Sequence, residues 1–240
     1  MGRPRAPSPR VPGRPSPKLR RPPVRRRRTC RTNGYGYRMR TVLTLVRHGE
    51  TSANLDGVWH GSTDTPLTER GRRQAERVAG FLAQRHRDAT AVYSSPLARA
   101  RDTAGAITSQ LRIPLVIDPG LAEYHLGSWE GLSYADLHHK HRLWDRIKED
   151  ADFAPHGGES PRAVVDRYTG SLRRISASHA DERVIVVGHG GALSMVLAAL
   201  LDGDYSQWKR VMHNCAVSEL VIEPEPALLS FNLIEHLDGI

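Results

Sequence analysis

Val42-Leu43-Thr44-Leu45-Val46-Arg47-His48-Gly49-Glu50-Thr51 is the stretch on which the fold turns. Its first half is an aliphatic, β-branched run of buried-strand length, and it stops at a histidine followed by glycine. The pattern recurs far downstream: Val184-Ile185-Val186-Val187 ends at Gly188-His189-Gly190-Gly191. In an open parallel sheet, residues just past the carboxyl ends of the strands line the ligand crevice. His48 and His189 can therefore share one pocket although they are far apart in sequence.

Further strand-like runs lie at residues 91–93, 115–117, 216–222 and 228–233, beside the two at 41–46 and 183–187. Helical stretches fall between them. Thr68 precedes a charged run to Arg85, and residues 133–148 are helical in composition. Ser95-Pro96 and Ser160-Pro161 each read as an N-cap followed by proline at the first helical position. Residues 192–201 are apolar nearly all round and predict a buried helix. This alternation implies a three-layer α/β/α sandwich with a mostly parallel sheet. The last two strands predict an edge hairpin turning at Glu223-Pro224-Glu225-Pro226.

The net charge of +9 is unevenly distributed. Residues 1–40 hold 14 of the 35 Lys and Arg residues and none of the 26 acidic ones, which leaves the remainder mildly acidic. Residues 1–38 are rich in Pro, Arg and Gly and lack core-forming side chains, so they read as a disordered basic leader. Met39, directly before the first strand, makes an over-extended start an equally simple explanation. The expected domain is 39–240. The arginines at 25–28 could attract an anionic polymer, but only that leader supports nucleic acid, so nucleic acid is not the expected partner. No apolar run approaches the ~18 residues of a membrane span. Cys30 and Cys215 give neither a disulfide framework nor a metal-ligand spacing, which fits a reduced, cytoplasmic setting. Oligomeric state is left open, and a homo-oligomer is compatible with the sequence.

Ordered motifs narrow the function. Arg47-His48-Gly49-Glu50-Thr51 with Asn54 is followed by Pro66-Leu67-Thr68-Glu69-Arg70-Gly71-Arg72-Arg73-Gln74-Ala75 and Ser94-Ser95-Pro96-Leu97-Ala98-Arg99-Ala100. Glu123-Tyr124-His125-Leu126-Gly127-Ser128-Trp129-Glu130-Gly131, Gly157-Gly158-Glu159-Ser160 and Gly188-His189-Gly190-Gly191 complete the series. Together they resemble the histidine phosphatase superfamily, which includes cofactor-dependent phosphoglycerate mutases and many small phosphatases. The resemblance implies a phosphoglycerate mutase-like fold and a phosphohistidine formed on His48.

The chemistry suits these residue types. Neutral imidazole adds to phosphorus without bringing negative charge of its own. Arg47 and Arg99 supply planar forks for phosphoryl oxygens. His189 is expected to donate to a phosphoryl oxygen, and Gly190 to let backbone amides approach an anion at the following helix N-terminus. Asn54 adds a neutral donor. Glu123 aligns with the family's acid/base, with Glu50 and Glu130 as alternative carboxyls; near a phosphate, a second negative charge disfavours its ionisation. His60-Gly61 stands where the family commonly has glutamine-glycine, and His60 is a candidate for altered specificity. His138-His139-Lys140-His141 reads as solvated helix, since adjacent side chains do not converge on one ion. Trp129 and Trp144 read as packing residues. No metal or organic cofactor is expected.

A phosphatase is favoured over a mutase. The mutases carry Gly-Leu-Asn-Lys where this chain has Gly131-Leu132-Ser133-Tyr134, and a longer, arginine-paired insertion where it has only residues 142–156. Fewer fixed cations suit a substrate with one phosphate. A mutase-type phosphoryl transfer and a non-catalytic phospho-ligand binder are the alternatives. A sugar phosphate, a phosphoglycerate derivative and a nucleoside monophosphate such as a cobamide precursor are the substrate candidates.

Overall fold

The computed structural model describes residues 40–240. The expected leader at 1–38 lies outside the described residues. Six strands form one sheet: β1 (Val42–Arg47), β2 (Ala89–Ser94), β3 (Leu115–Ile117), β4 (Arg183–Gly188), β5 (Val217–Val221) and β6 (Ala227–Leu233). Their order is β3-β2-β4-β1-β5-β6. The first four run parallel, and β5 and β6 add an antiparallel edge hairpin. The sheet is thus mostly parallel, with its hairpin where the Glu-Pro repeat predicts it.

Side-chain alternation along β1 and β4 divides the core. Leu43, Leu45, Val184 and Val186 face one side, where they pack with α6 (Pro161–Ser178) and α7 (Gly190–Asp202). Val46, Ile185 and Val187 face the other, against α2 (Glu69–Arg85) and α3 (Ala98–Leu111). Period-two alternation on strands buried on both faces requires a helical layer on each side. α7 is buried along most of its length, in keeping with its all-round apolar sequence. The remaining helices are α1 (Ser52–Leu55), α4 (Tyr134–His139) and α5 (Leu143–Glu149).

Two helix starts agree with their sequence signals. Thr68 caps α2 by accepting from the Gly71 amide, and Ser160 caps α6 by accepting from Ala163 with Pro161 behind it. Two expectations need correction. Residues 133–148 form two helices rather than one, with a break at 140–142 where Arg142 takes φ +50°. Leu137, Leu143 and Ile147 are all buried. On an unbroken helix Leu143 would point about 120° away from Leu137, so the break re-aims it. Ser95-Pro96 does not start α3, which begins at Ala98. Instead the Ser95 amide extends the sheet by donating to Val187 O (3.1 Å).

The first strand end packs against α2 through two glycines. A Cβ on Gly49 would lie 2.5 Å from Gly71 O, and one on Gly71 would lie 2.1 Å from Glu50 O. Backbone cannot yield as a flexible side chain can. Gly71→Ala is expected to destabilise the fold by about 1–3 kcal/mol, the usual cost of overpacking. The midpoint of urea denaturation measures this, and an unchanged midpoint contradicts the close approach.

Candidate active site

Sheet register brings the distant motifs together. Arg47 pairs with Gly188, and Ser94 with Val187. The His48 amide donates to Gly188 O (3.0 Å). Three parallel strands therefore end level, and the residues that follow them, His48, Ser95 and His189, project from one edge. The His48 and His189 ring centroids are 5.1 Å apart.

The ring nitrogens of His48 are distinguishable. Nδ1 lies 2.7 Å from Gly49 O. A carbonyl only accepts, so Nδ1 carries the proton and Nε2 keeps its lone pair. Burial, reinforced by the Arg47 and Arg99 guanidiniums, pushes the imidazole well below its ordinary value of 6.5. His189 is fully buried and is lowered likewise, by burial and then by Arg99. Its Nδ1 accepts from Arg99 Nε (3.3 Å), and Nε2 faces Ser95 Oγ (2.7 Å). His189 thus holds Arg99 and engages Ser95, instead of directing a free N–H toward a ligand as expected from the sequence.

Both imidazoles are neutral in the folded protein but take up a proton below about 6.5 in the unfolded chain. The unfolded state then binds more protons, so stability is fully present above that value and falls as pH drops, by roughly 1 kcal/mol per pH unit per ring until the folded value is reached. The urea midpoint is expected to decrease from pH 6.5 to about 5. A flat profile over that window contradicts two neutral buried rings.

Arg99 is buried and Arg47 is partly buried, with its Nε sealed, and neither pairs with a carboxylate among the described residues. Arg47 Nη1 donates to Met212 O (2.7 Å), and its buried Nε has no partner. Arg99 donates through Nη1 to Thr63 O (2.9 Å) and through Nη2 to Gly61 O (2.7 Å). Each fork is oriented by neutral acceptors, and Glu123 acts on both guanidiniums at longer range without forming an ion pair. Buried charge without an ion pair is costly, and two such groups on one cavity suit it to an anion.

Glu123 occupies the α7 N-terminus. Its Oε1 accepts from the amides of Ala192 (2.6 Å) and Tyr124 (2.8 Å), and its Oε2 from that of Gly191 (3.0 Å). The helix end expected to receive a ligand anion is thus taken by a side-chain carboxylate. Gly190 serves a different need: a Cβ there would sit 3.0 Å from Arg47 Cζ and Nε. The competing carboxyls are committed elsewhere. Glu50 bonds Thr68 and Arg70. Glu130 bonds Ser62, Thr63 and His125. Burial opposes its ionisation, but those hydrogen bonds outweigh it and hold the carboxyl below the ordinary range.

Asn54 Oδ1 accepts from Thr51 (3.1 Å) and from Asn214 Nδ2 (3.1 Å), which turns its own amide NH2 away from these partners. His60 Nδ1 lies 2.5 Å from Thr65 Oγ1. Arg47, His48, Asn54, His60, Gly61, Arg99, Glu123 and Gly190 all line one cavity of about 280 Å³. Trp144 lines it too, contrary to its reading as a packing residue, whereas Trp129 packs on His141 and Phe153. No cluster of three or more metal-ligating side chains occurs among the described residues. Their helices include none long and apolar enough to cross a membrane.

A family model for the histidine phosphatase superfamily (branch 1) matches residues 43–233. The chain belongs to the histidine phosphatase superfamily. Glucosyl-3-phosphoglycerate phosphatase of Mycolicibacterium vanbaalenii is 35% identical over 177 residues, covering 69% of this chain and 76% of that one. A metal-independent phosphoserine phosphatase of Arabidopsis thaliana is 40% identical over 161 residues, covering 65% and 67%. The solved structure of mycobacterial glucosyl-3-phosphoglycerate phosphatase in complex with VO3 superposes with a TM-score of 0.69 at 32% identity, covering 80% of this chain and 98% of that one. This histidine phosphatase therefore has phosphatases of small phosphorylated metabolites as relatives, and it is an enzyme of that kind.

Sequence reasoning missed several residues of the site. Ser95 was read as a cap, yet it contacts His189. Met212 O and Asn214 come from an irregular stretch after α7 that carries no motif. The Asn214 amide links His48 O (3.0 Å) to Asn54.

Proposed function

We propose that the protein hydrolyses phosphate monoesters through a phosphohistidine on His48. The observation that carries this is the bare Nε2 of a neutral imidazole at a cavity walled by two guanidiniums that form no ion pair among the described residues. In the first step the Nε2–P bond forms as the ester P–O bond breaks, and Glu123 gives its proton to the departing alkoxide. In the second, water attacks phosphorus, the N–P bond breaks, and Glu123 takes the proton back. Arg47 and Arg99 hold the non-bridging oxygens, and the Asn54 amide adds a neutral donor. Fixed donors of this kind are each worth on the order of 10²–10³ in rate. His189 is a positioning residue acting through Arg99.

Hydrolysis is favoured over mutase chemistry by Tyr134, which lines the cavity where mutases carry lysine. Arg142 and Arg146 engage Asp145 and Phe153, away from the cavity, and so add no second phosphate site. The domain comprises 39–240, and a reduced cytoplasm suits it. No metal or organic cofactor takes part. The test is phosphate release from a panel of phosphorylated metabolites, with and without EDTA. Turnover that persists in chelator supports the proposal. Turnover abolished by EDTA and restored by a divalent ion overturns it.

A further inference from the structure

Beyond its phosphate-binding groups, the cavity is walled by ring and hydrocarbon surface. Trp59, Tyr134, Trp144, Trp208, Val58 and Val211 line it. They come from the loop after α1, from α4 and α5, and from the stretch after α7, so four separate segments contribute apolar surface to one wall. The rings pack on one another: Trp59 lies 5.9 Å from Tyr134 and 6.1 Å from Trp208, and Trp208 lies 6.1 Å from Trp144.

Two of the indole N–H groups do not offer themselves to a ligand. Trp59 Nε1 donates to Tyr124 O (3.1 Å), and Trp208 Nε1 is sealed from solvent. Among the cavity's hydroxyl groups, Thr65 is occupied by His60, and Thr51 by Asn54. The Tyr134 hydroxyl and the Asn54 amide remain as neutral polar groups, against a wall that is otherwise apolar. Among the described residues, Arg47 and Arg99 are the only Arg or Lys side chains that line the cavity. A leaving group bearing a carboxylate would find no cation there beyond the two that hold the phosphate.

We propose that the substrate is a phosphate monoester of an uncharged alcohol bearing a planar aromatic ring, seated against the wall of Trp59, Trp144 and Trp208. This rests on the phosphatase reading above and narrows its substrate class. It sets the chain apart from relatives whose names specify phosphoserine or glucosyl-3-phosphoglycerate, both of which carry a carboxylate. Flat rings stack on indole faces, and apolar surface removed from water stabilises the complex.

The test compares kcat/KM for 2-phenylethyl phosphate, phosphoserine, 3-phosphoglycerate, glucose 6-phosphate and octyl phosphate. All are alkyl esters, so leaving-group acidity is not the main variable. Phenylethyl phosphate is expected to lead the charged and sugar esters by about tenfold or more, the scale on which an apolar pocket discriminates. Trp208→Ala should narrow that lead, mainly through KM. A higher kcat/KM for phosphoserine, phosphoglycerate or glucose phosphate overturns the inference while leaving the phosphatase reading intact. Octyl phosphate equalling phenylethyl phosphate overturns the commitment to a ring. Failure to hydrolyse any ester, p-nitrophenyl phosphate included, overturns the phosphatase reading itself.

Discussion

His48→Ala is expected to lower kcat by at least about 10⁴-fold, because alanine offers no lone pair to phosphorus. Nothing nearby can replace it. His189 spends Nδ1 on Arg99 and Nε2 on Ser95, and it is fully buried. Cys215 is buried, and burial pushes its thiol far up, so it is a poor nucleophile. The variant should still fold, since His48 donates only to its neighbour's carbonyl and removal leaves that acceptor beside the cavity. Rapid alkaline quenching with a ³²P-labelled ester should trap label on the parent protein and none on the variant. Alkali-stable, acid-labile label on the parent is the signature of phosphohistidine. Label that persists on the variant, or turnover within tenfold of the parent, would assign the nucleophile elsewhere.

The second large effect is expected from Glu123→Gln. An amide keeps much of the carboxylate's shape and one accepting oxygen, but it can neither protonate the leaving alkoxide nor deprotonate water. Turnover should fall by ~10²–10⁴-fold, the usual weight of general acid–base catalysis. The loss in kcat/KM, which reports only formation of the phosphohistidine, should shrink for p-nitrophenyl phosphate, whose leaving group needs no proton. That contrast separates proton transfer from structure. Glu123 also accepts three backbone N–H groups. One of them would face the new NH2, so stability should also drop modestly. A variant whose kcat/KM falls equally on all esters would mark Glu123 as a structural cap, and full activity would remove it from the chemistry.

Glu123 also illustrates what could be read directly from the residues. Three carboxyls, at 50, 123 and 130, stood near the motifs, and spacing alone did not separate them. Their hydrogen bonds do: Glu50 is tied to Thr68 and Arg70, and Glu130 to the loop at 61–63, whereas Glu123 faces the cavity. Ser95 was legible as a polar residue before proline, but its partner lies 94 positions away. The helix break at 140–142 was hidden because composition reports helical preference and not the direction in which Leu143 must point.

The amino-acid sequence by itself determined the alternation of strands and helices, the antiparallel closing hairpin, the buried character of α7, and the pairing of two strand-terminal histidines. These follow from local patterns, namely two-residue and 3.6-residue periodicity and breaker residues, which act within a few positions. Tertiary structure alone decided which nitrogen of His48 carries its proton, that His189 serves Arg99, that Glu123 closes the α7 N-terminus, and that rings from four segments face one cavity. Each depends on groups brought together by sheet register and loop packing from distant parts of the chain, and no local pattern encodes that proximity.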